Sequence, residues 1–291
     1  MPHKHCSFDC VYCQLGKTTN TTVLRKEYTP TQEVLREIKE VLKRNMQSDF
    51  LTFSGSGEPT LHKDIGYMIN ELKKLTKTPI AVLTNGSLLH ISEVRSDLKN
   101  ADLVIPTLST ADEAVFRKIH RSHATIDLAR VIEGYISFRK MYKGQIWLEV
   151  MLVHGMNDSP EQIRKLKDVI DRINPDKIHL NTVVRPPSEA HAQPVPMETM
   201  QELKKILGEK CEIIVDFAAK TKDGRDGNAL EMITAIISRR PVTVADLVRA
   251  TSLHKNEILK YLHLLSRKGR INISRHNGKE FYTLRGNDDR T

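Results

Sequence analysis

Along the first three quarters of the chain, short apolar runs alternate with stretches in which apolar residues recur every three or four positions. Asp49–Phe53, Pro79–Leu83, Asp102–Pro106, Ile146–Val153, Lys177–Val183 and Glu212–Phe217 are of the first kind and read as strands. They are mostly apolar along their length, which predicts parallel strands buried on both faces. The intervening stretches read as helices. Thr29-Pro30-Thr31-Gln32 predicts a capping box with proline at the first helical position, followed by Val34, Leu35, Ile38, Val41 and Leu42 on one face. Ser159-Pro160-Glu161-Gln162 repeats the device before Ile163, Leu166, Val169 and Ile170. Ile65, Met68, Ile69, Leu72 and Leu75 mark another helix, and Val131, Ile132, Tyr135, Ile136 and Phe138 a fourth. Alternating strands and helices predict an α/β fold of right-handed βαβ units, with ligands gathered at the carboxyl ends of the strands.

The alternation stops at the polar, glycine-containing segment 220–227. Beyond it the pattern predicts three helices, over Asn228–Arg239, Thr243–Ala250 and Lys255–Gly269. Two strands follow, Arg270–Ser274 and Glu280–Leu284, around the hairpin signal Asn277-Gly278. Three helices and a hairpin resemble a winged helix-turn-helix domain. The expected organisation is a main domain over 1–219, a linker over 220–227 and a small domain over 228–291.

Charge sharpens this division. The formal net charge is +9, and residues 228–291 hold 12 Lys and Arg against 6 Asp and Glu. Such asymmetry makes nucleic acid a candidate partner of residues 228–291, with Lys255, Asn256, Lys260 and His263 on the third helix and Arg275 and Lys279 at the hairpin available for contact. A protein-docking role or a solvated basic face would fit the same residues. The 5% aromatic content is low for base-stacking platforms. No apolar run is long enough for a membrane span and the N-terminus lacks a signal-peptide pattern, so the expectation is a cytoplasmic protein without a membrane partner.

Candidate chemistry starts at Cys6-x3-Cys10-x2-Cys13, with Tyr12 just before the last cysteine. Three thiolates so close in sequence suit a shared metal centre. Zinc would need a fourth ligand, for which His3 or His5 is available; an iron–sulfur cluster held by three thiolates would keep one iron open. Cys211 lies far away beside an apolar strand and reads as a small buried residue. Directly after the first strand comes Ser54-Gly55-Ser56-Gly57-Glu58-Pro59-Thr60, either a ligand-approaching loop or a tight βα turn. Asn85 precedes Gly86 after the next strand and suits either a turn or a contact. Ser109, His154 and Arg185 follow later strands, and Glu149 lies within one, facing either the interior or a helix.

Taken together, Cys6-x3-Cys10-x-Tyr12-Cys13 and Ser56-Gly57-Glu58-Pro59 resemble the radical S-adenosylmethionine superfamily over residues 1–217. Cys6–Lys17 with Gly55–Leu61 looks like its Fe–S oxidoreductases related to tRNA-wyosine synthases, although no second cysteine cluster of the kind typical of those enzymes is present. The resemblance implies a partial (β/α) barrel and a [4Fe–4S] cluster on Cys6, Cys10 and Cys13. It implies S-adenosylmethionine chelated to the open iron, with Tyr12, Gly57, Glu58, Asn85 and Ser109 as cofactor contacts. The implied reaction is reductive cleavage of S-adenosylmethionine, fed by an external electron donor, to a 5′-deoxyadenosyl radical that abstracts hydrogen from a substrate, RNA being one candidate. A redox-sensing, DNA-binding regulator is the rival, but it has no need of Gly57-Glu58. Superfamily barrels place a strand before the cysteine loop, and five residues precede Cys6 here. The first strand is therefore expected to be missing, leaving an open edge on the next strand and less support for the loop.

Overall fold

A computed structural model describes residues 4–43, 48–215, 229–251 and 253–285. The short strands β1 (His5–Cys6) and β2 (Asn20–Thr21) pair in parallel ahead of the main sheet. After α1 (Thr31–Leu42) the chain alternates β3 (Leu51–Phe53), α2 (Ile65–Leu75), β4 (Ile80–Thr84), α3 (Ser92–Leu98) and β5 (Leu103–Pro106). Then come α4 (Glu113–His120), α5 (Leu128–Met141), β6 (Gln145–Leu152), α6 (Pro160–Ile173), β7 (Lys177–Thr182), α7 (Met197–Leu207) and β8 (Cys211–Ile213). Strands β3 to β8 form one parallel sheet in sequential order. Right-handed crossovers in a sequential sheet all fall on the same side, so the helices cover one face and the other turns inward.

The burial of β6 and β7 records this. Ile146, Leu148, Val150 and Leu152, with Ile178 and Leu180, are buried and belong to the main core with the apolar faces of the helices. The alternate residues Trp147, Glu149, Met151, His179 and Asn181 are only half-buried. These strands are therefore not closed on both faces as their composition predicts; their inner face carries polar groups. Phe50, just before β3, meets Trp147 of β6 edge-on at 6.3 Å, three strands away, so the sheet curls round an interior. The architecture is the expected partial barrel.

The predicted helices form, with one correction at a start. Ser159 caps α6 by accepting from Gln162 N at 3.2 Å, with Pro160 first in the helix. The matching box at Thr29 does not form: Pro30 is extended (ψ 116°), α1 begins at Thr31, and Glu27 Oε1 accepts from Thr31 N at 2.8 Å instead. An acidic side chain four residues upstream wins the position that the Thr-Pro pattern assigns to Thr29. β8 is also shorter than predicted and starts at Cys211.

Among the described residues β3 is an edge strand of this sheet. A groove of about 270 Å³ runs along it, lined by Val34, Ile38, Leu51, Phe53, Met68 and Leu72 among others. The cysteine loop nevertheless has support. Lys4 N donates to Ser56 O (2.6 Å), Glu58 N to His5 O (3.0 Å), Asp9 N to His120 O (2.9 Å), Val11 N to Ile119 O (2.9 Å) and His123 N to Ser7 O (2.9 Å). These backbone groups come from the connection after β3 and from the end of α4.

The C-terminal residues build α8 (Ala229–Ile237), α9 (Val244–Thr251), α10 (Lys255–Arg267) and the antiparallel hairpin β9 (Ile271–His276)–β10 (Lys279–Leu284). Asn277 and Gly278, both at positive φ, form its two-residue turn. Ile233, Ile237, Leu247, Ile258, Leu262 and Leu265 lead a hydrophobic cluster of their own. The predicted linker 220–227 lies outside the described residues. No helix among the described residues is long and apolar enough to cross a membrane.

Candidate functional site: a cysteine loop at the rim of the barrel

The cysteine loop lies against the loops that follow β3, β4 and α4. Its closest approach is to Gly57, where a Cβ would fall 1.9 Å from His5 O and 2.9 Å from His5 C. Only glycine lets the two backbones meet here. The next residue, Glu58, is buried and anchored by four donors. Its Oε1 accepts from Thr60 N (3.0 Å), Thr60 Oγ1 (2.6 Å) and Thr84 Oγ1 (2.6 Å), and its Oε2 from Asn85 N (2.7 Å). Burial pushes this carboxyl above its ordinary range while the four donors pull it back. Glu58 thereby caps the 3-10 turn Pro59–Leu61 and ties the end of β3 to the end of β4. Both readings of the segment hold at once: it is a tight turn, and it lies against the cysteine loop.

Asn85 also combines two roles. Its Oδ1 accepts from Ser87 N (3.0 Å), a local turn, while its Nδ2 donates to Ser7 Oγ (2.8 Å) and reaches Cys6 Sγ at 3.5 Å. Ser7 Oγ in turn pairs with Ser87 Oγ at 2.7 Å.

The three thiols are half-buried. Burial pushes the Cys6 thiol up to about 12, with Glu58 and then Cys13 adding to the rise. Cys10 also lies well above its usual value, through burial and then Cys6 and Cys13. The thiols of Cys6 and Cys10, whose ionised forms burial disfavours, suit a positively charged centre. No group of three or more His, Cys, Asp or Glu side chains among the described residues is gathered to hold a metal ion. His5, one candidate fourth zinc ligand, packs edge-on against Tyr28 at 5.4 Å; His3 lies outside the described residues.

Two basic side chains that the sequence pattern does not single out complete the loop. Lys4 is buried and donates from Nζ to Cys13 Sγ at 3.1 Å. His120, the last residue of α4, places Nδ1 3.3 Å from Cys10 Sγ and 3.4 Å from Tyr12 OH. Burial pushes His120 down to about 3, so it is neutral at physiological pH. Lys4 lies two residues before Cys6 and nine before Cys13, close enough for a local reading to find it; His120 carries no such signal, since it meets Cys10 across 110 residues.

The other predicted residues divide. Glu149 faces the interior, accepting from Thr107 Oγ1 (2.8 Å) and Asn181 Nδ2 (3.1 Å), and its charge helps keep the half-buried Tyr12 phenol protonated, after burial and Cys10. Arg185 reaches the cysteine loop, donating from Nη1 to Gln14 Oε1 at 3.2 Å. Ser109 is buried with its hydroxyl accepting from Met151 N at 3.3 Å. His154 is exposed and tied to Asp158 at 2.8 Å, and Cys211 is buried in the main core; neither joins the loop. The lock on β5 and β6 is Asn157, fully buried, which accepts from Val153 N (2.8 Å) and donates to Ser109 O (2.8 Å) and Met151 O (2.9 Å).

A sequential parallel α/β sheet with a three-cysteine loop at its carboxyl rim defines a class of protein, and comparison with known proteins agrees. The Radical SAM superfamily pattern matches residues 2–174. The chain is 33% identical over 291 residues to a UPF0026 protein of Methanocaldococcus jannaschii, covering 97% of this chain and 89% of that one. It is 36% identical over 288 residues to a protein of Brachyspira hyodysenteriae named GTPase Obg, covering 98% of this chain but only 42% of that one. The crystal structure of a radical SAM methyltransferase from Sphaerobacter thermophilus shares the fold, with a TM-score of 0.57 at 14% identity over 74% of this chain and 64% of that chain. The chain belongs to the radical SAM superfamily of enzymes. The GTPase name stays with the Brachyspira protein: Gly16-Lys17-Thr18 ends like a phosphate loop, but Val11 occupies the position where that motif needs its first glycine.

Proposed function

We propose that this chain reductively cleaves S-adenosylmethionine at a [4Fe–4S] cluster held by Cys6, Cys10 and Cys13, and uses the product to abstract hydrogen from a substrate. The observation that carries this reading is the contact of the three-thiol loop with Gly57 and Glu58 through the His5 carbonyl. Held by Cys6, Cys10 and Cys13, the cluster would supply one electron, drawn from an external donor, to break the sulfonium carbon–sulfur bond of S-adenosylmethionine into methionine and a 5′-deoxyadenosyl radical.

The residues of this chain hold and shield. Lys4 offers positive charge beside Cys13, offsetting the negative charge of a thiolate-bound cluster. Neutral His120 and Tyr12 cover Cys10. The backbone beside Tyr12 is the proposed surface for adenine. Gly57 and Glu58 are the proposed seat of the methionine ammonium: the Glu58 carboxylate is fixed in orientation by its four donors, and an ammonium ion would favour its charged form. Asn85, already within 3.5 Å of Cys6 Sγ, is a proposed cofactor contact. Ser109 is a proposed cofactor contact: its hydroxyl accepts from Met151 N and retains its O–H to donate.

The proposed division is a radical SAM domain over 1–219, a linker over 220–227 and a winged-helix domain over 228–291. The order of three helices and a hairpin supports it. Lys255, Asn256, Lys260 and His263 on exposed positions of α10, with Arg275 and Lys279 on the hairpin, are proposed to contact nucleic acid. The substrate class favoured is RNA, in keeping with the likeness of the cysteine loop to wyosine-synthase relatives and the basic C-terminal unit.

The test is anaerobic reconstitution with iron and sulfide, then reductant and S-adenosylmethionine, with 5′-deoxyadenosine measured. Wild type should produce it, Cys10→Ala should not, and Glu58→Ala should produce much less. A reconstituted cluster without cleavage would point to the redox-sensing regulator; stoichiometric zinc without iron would sink both cluster readings.

A further inference from the structure

The inner face of the barrel holds a carboxylate that the cysteine loop does not use. Glu149 lies in the middle of β6, half-buried and turned to the interior. It stands level with the end of β5: its carbonyl accepts from Leu108 N at 2.9 Å, and it bridges to Thr107. Thr107 O in turn accepts from the Tyr135 hydroxyl at 2.8 Å, and the same hydroxyl lies 3.1 Å from Asn85 O. Asn85 Nδ2 reaches Cys6 Sγ at 3.5 Å, so a short run of contacts connects Glu149 to the cysteine loop.

Both carboxylate oxygens are held in place, and neither is saturated. Oε2 accepts from Thr107 Oγ1 at 2.8 Å and Oε1 from Asn181 Nδ2 at 3.1 Å. These donors approach from opposite sides, because β6 lies between β5 and β7. A carboxylate has about four acceptor positions, so each oxygen keeps a free one, facing the interior between the two flanking donors. Among the described residues Glu149 forms no ion pair. His179, its registered neighbour on β7, is pushed below the ordinary histidine value, chiefly by burial, and is neutral at physiological pH. Lys177, two residues earlier on β7, pairs with Glu212 at 3.0 Å and lies over the Trp147 ring at 5.1 Å. The inner face beside Glu149 is aromatic: the His179 and Trp147 rings are 5.1 Å apart, and Phe50 meets Trp147 at 6.3 Å.

We propose that Glu149 is the substrate-reading residue of the barrel interior, and that it accepts two side-by-side N–H donors from a flat nitrogen-containing ring of the substrate. One free position on each oxygen matches a pair of parallel N–H groups, and the neighbouring rings match a planar partner. The proposal rests on the reading of the substrate as RNA for the source of that ring, a nucleobase. A guanidinium side chain would offer the same donor pair and is the rival source. Thr107 and Asn181 are positioning residues, which act through the carboxylate they hold.

The test compares two uridine-rich RNAs of roughly ten nucleotides that differ at one central base, guanosine or inosine. Guanosine carries a ring N–H and an exocyclic amino group side by side; inosine lacks the amino group. Binding to the full chain is measured without reductant. Wild type should bind the guanosine RNA roughly 10-fold more tightly, the effect of one hydrogen bond to a charged group. In Glu149→Gln, which exchanges an acceptor for a donor, that preference should vanish. Asn181→Ala frees the carboxylate to turn and should reduce the preference without abolishing binding. The preference is a ratio taken within one protein, so a smaller folded fraction cancels out of it. Equal affinity of the wild type for the two RNAs, or a preference that survives Glu149→Gln, overturns the proposal. Binding of arginine amide that Glu149→Gln abolishes, with the two RNAs not told apart, also overturns it and identifies the guanidinium rival. Failure to form 5′-deoxyadenosine would strike the proposed cleavage and leave this comparison intact, because binding is read without the reaction.

Discussion

Replacing Gly57 by alanine tests whether backbone contact, rather than side-chain chemistry, holds the cysteine loop in place. The new Cβ would fall 1.9 Å from His5 O and 2.9 Å from His5 C, both backbone atoms without rotamer freedom. The segments must part by more than about 1 Å to restore an ordinary contact distance of about 3.5 Å. That displacement breaks the 3.0 Å bond from Glu58 N to His5 O and strains the 2.6 Å bond from Lys4 N to Ser56 O. Each broken bond costs about 1 kcal/mol, and a buried group left unpaired costs about 1–3 kcal/mol more. A destabilisation of about 2–5 kcal/mol results, which lowers Tm by roughly 5–15 °C in a domain of this size. Thermal unfolding of the apo protein measures it directly. Because the same bonds fix the segment that carries Cys6, iron and sulfide retained after reconstitution should fall in parallel. A Gly57→Ala protein with wild-type Tm and wild-type iron content would refute the reasoning, since the two backbones would then not be in contact.

The remaining predictions concern the scaffold. Asn157→Ala leaves Val153 N, Ser109 O and Met151 O without their partner in a fully buried position, and should cost about 2–4 kcal/mol in urea unfolding; a change within experimental error would show that water replaces the side chain. Burial pushes the Cys211 thiol up to about 12, while an unfolded cysteine titrates near about 8.5. The unfolded chain therefore releases this proton first, so the stability contribution is fully present below about pH 8.5 and is lost as pH rises toward about 12. Wild type should lose more stability than Cys211→Ala between about pH 8 and about pH 10.5; parallel urea midpoints for the two proteins would contradict the burial argument.

How much could be read in advance differs between elements. The strands and most long helices follow from local apolar spacing, and the cap at Ser159 forms as its sequence predicts. The cap at Thr29 does not, because Glu27 competes for Thr31 N, and a box pattern takes no account of an upstream carboxylate. Helices α3 and α4 carry no separate prediction; they are seven and eight residues long, too short for a clear period. In the candidate site, Asn85 and Glu58 were legible as residues at strand ends, but the network joining them to Ser7, Thr84 and Ser87 depends on register between loops far apart in sequence.

By itself, the sequence determined the alternation of strand and helix, the superfamily, the three-cysteine loop and the basic character of the C-terminal residues. Each of these is written in local spacing or composition, where neighbours along the chain decide the outcome. Tertiary structure alone decided which inner-face residues the curved sheet presents, that Gly57 meets the His5 carbonyl, that Lys4 and His120 attend Cys13 and Cys10, and that Arg185 stands beside Gln14. Except for Lys4 and Cys13, nine residues apart, the pairs named are meetings of residues about 50 to 170 positions apart, fixed by strand order and crossover hand; no short window along the chain contains both partners.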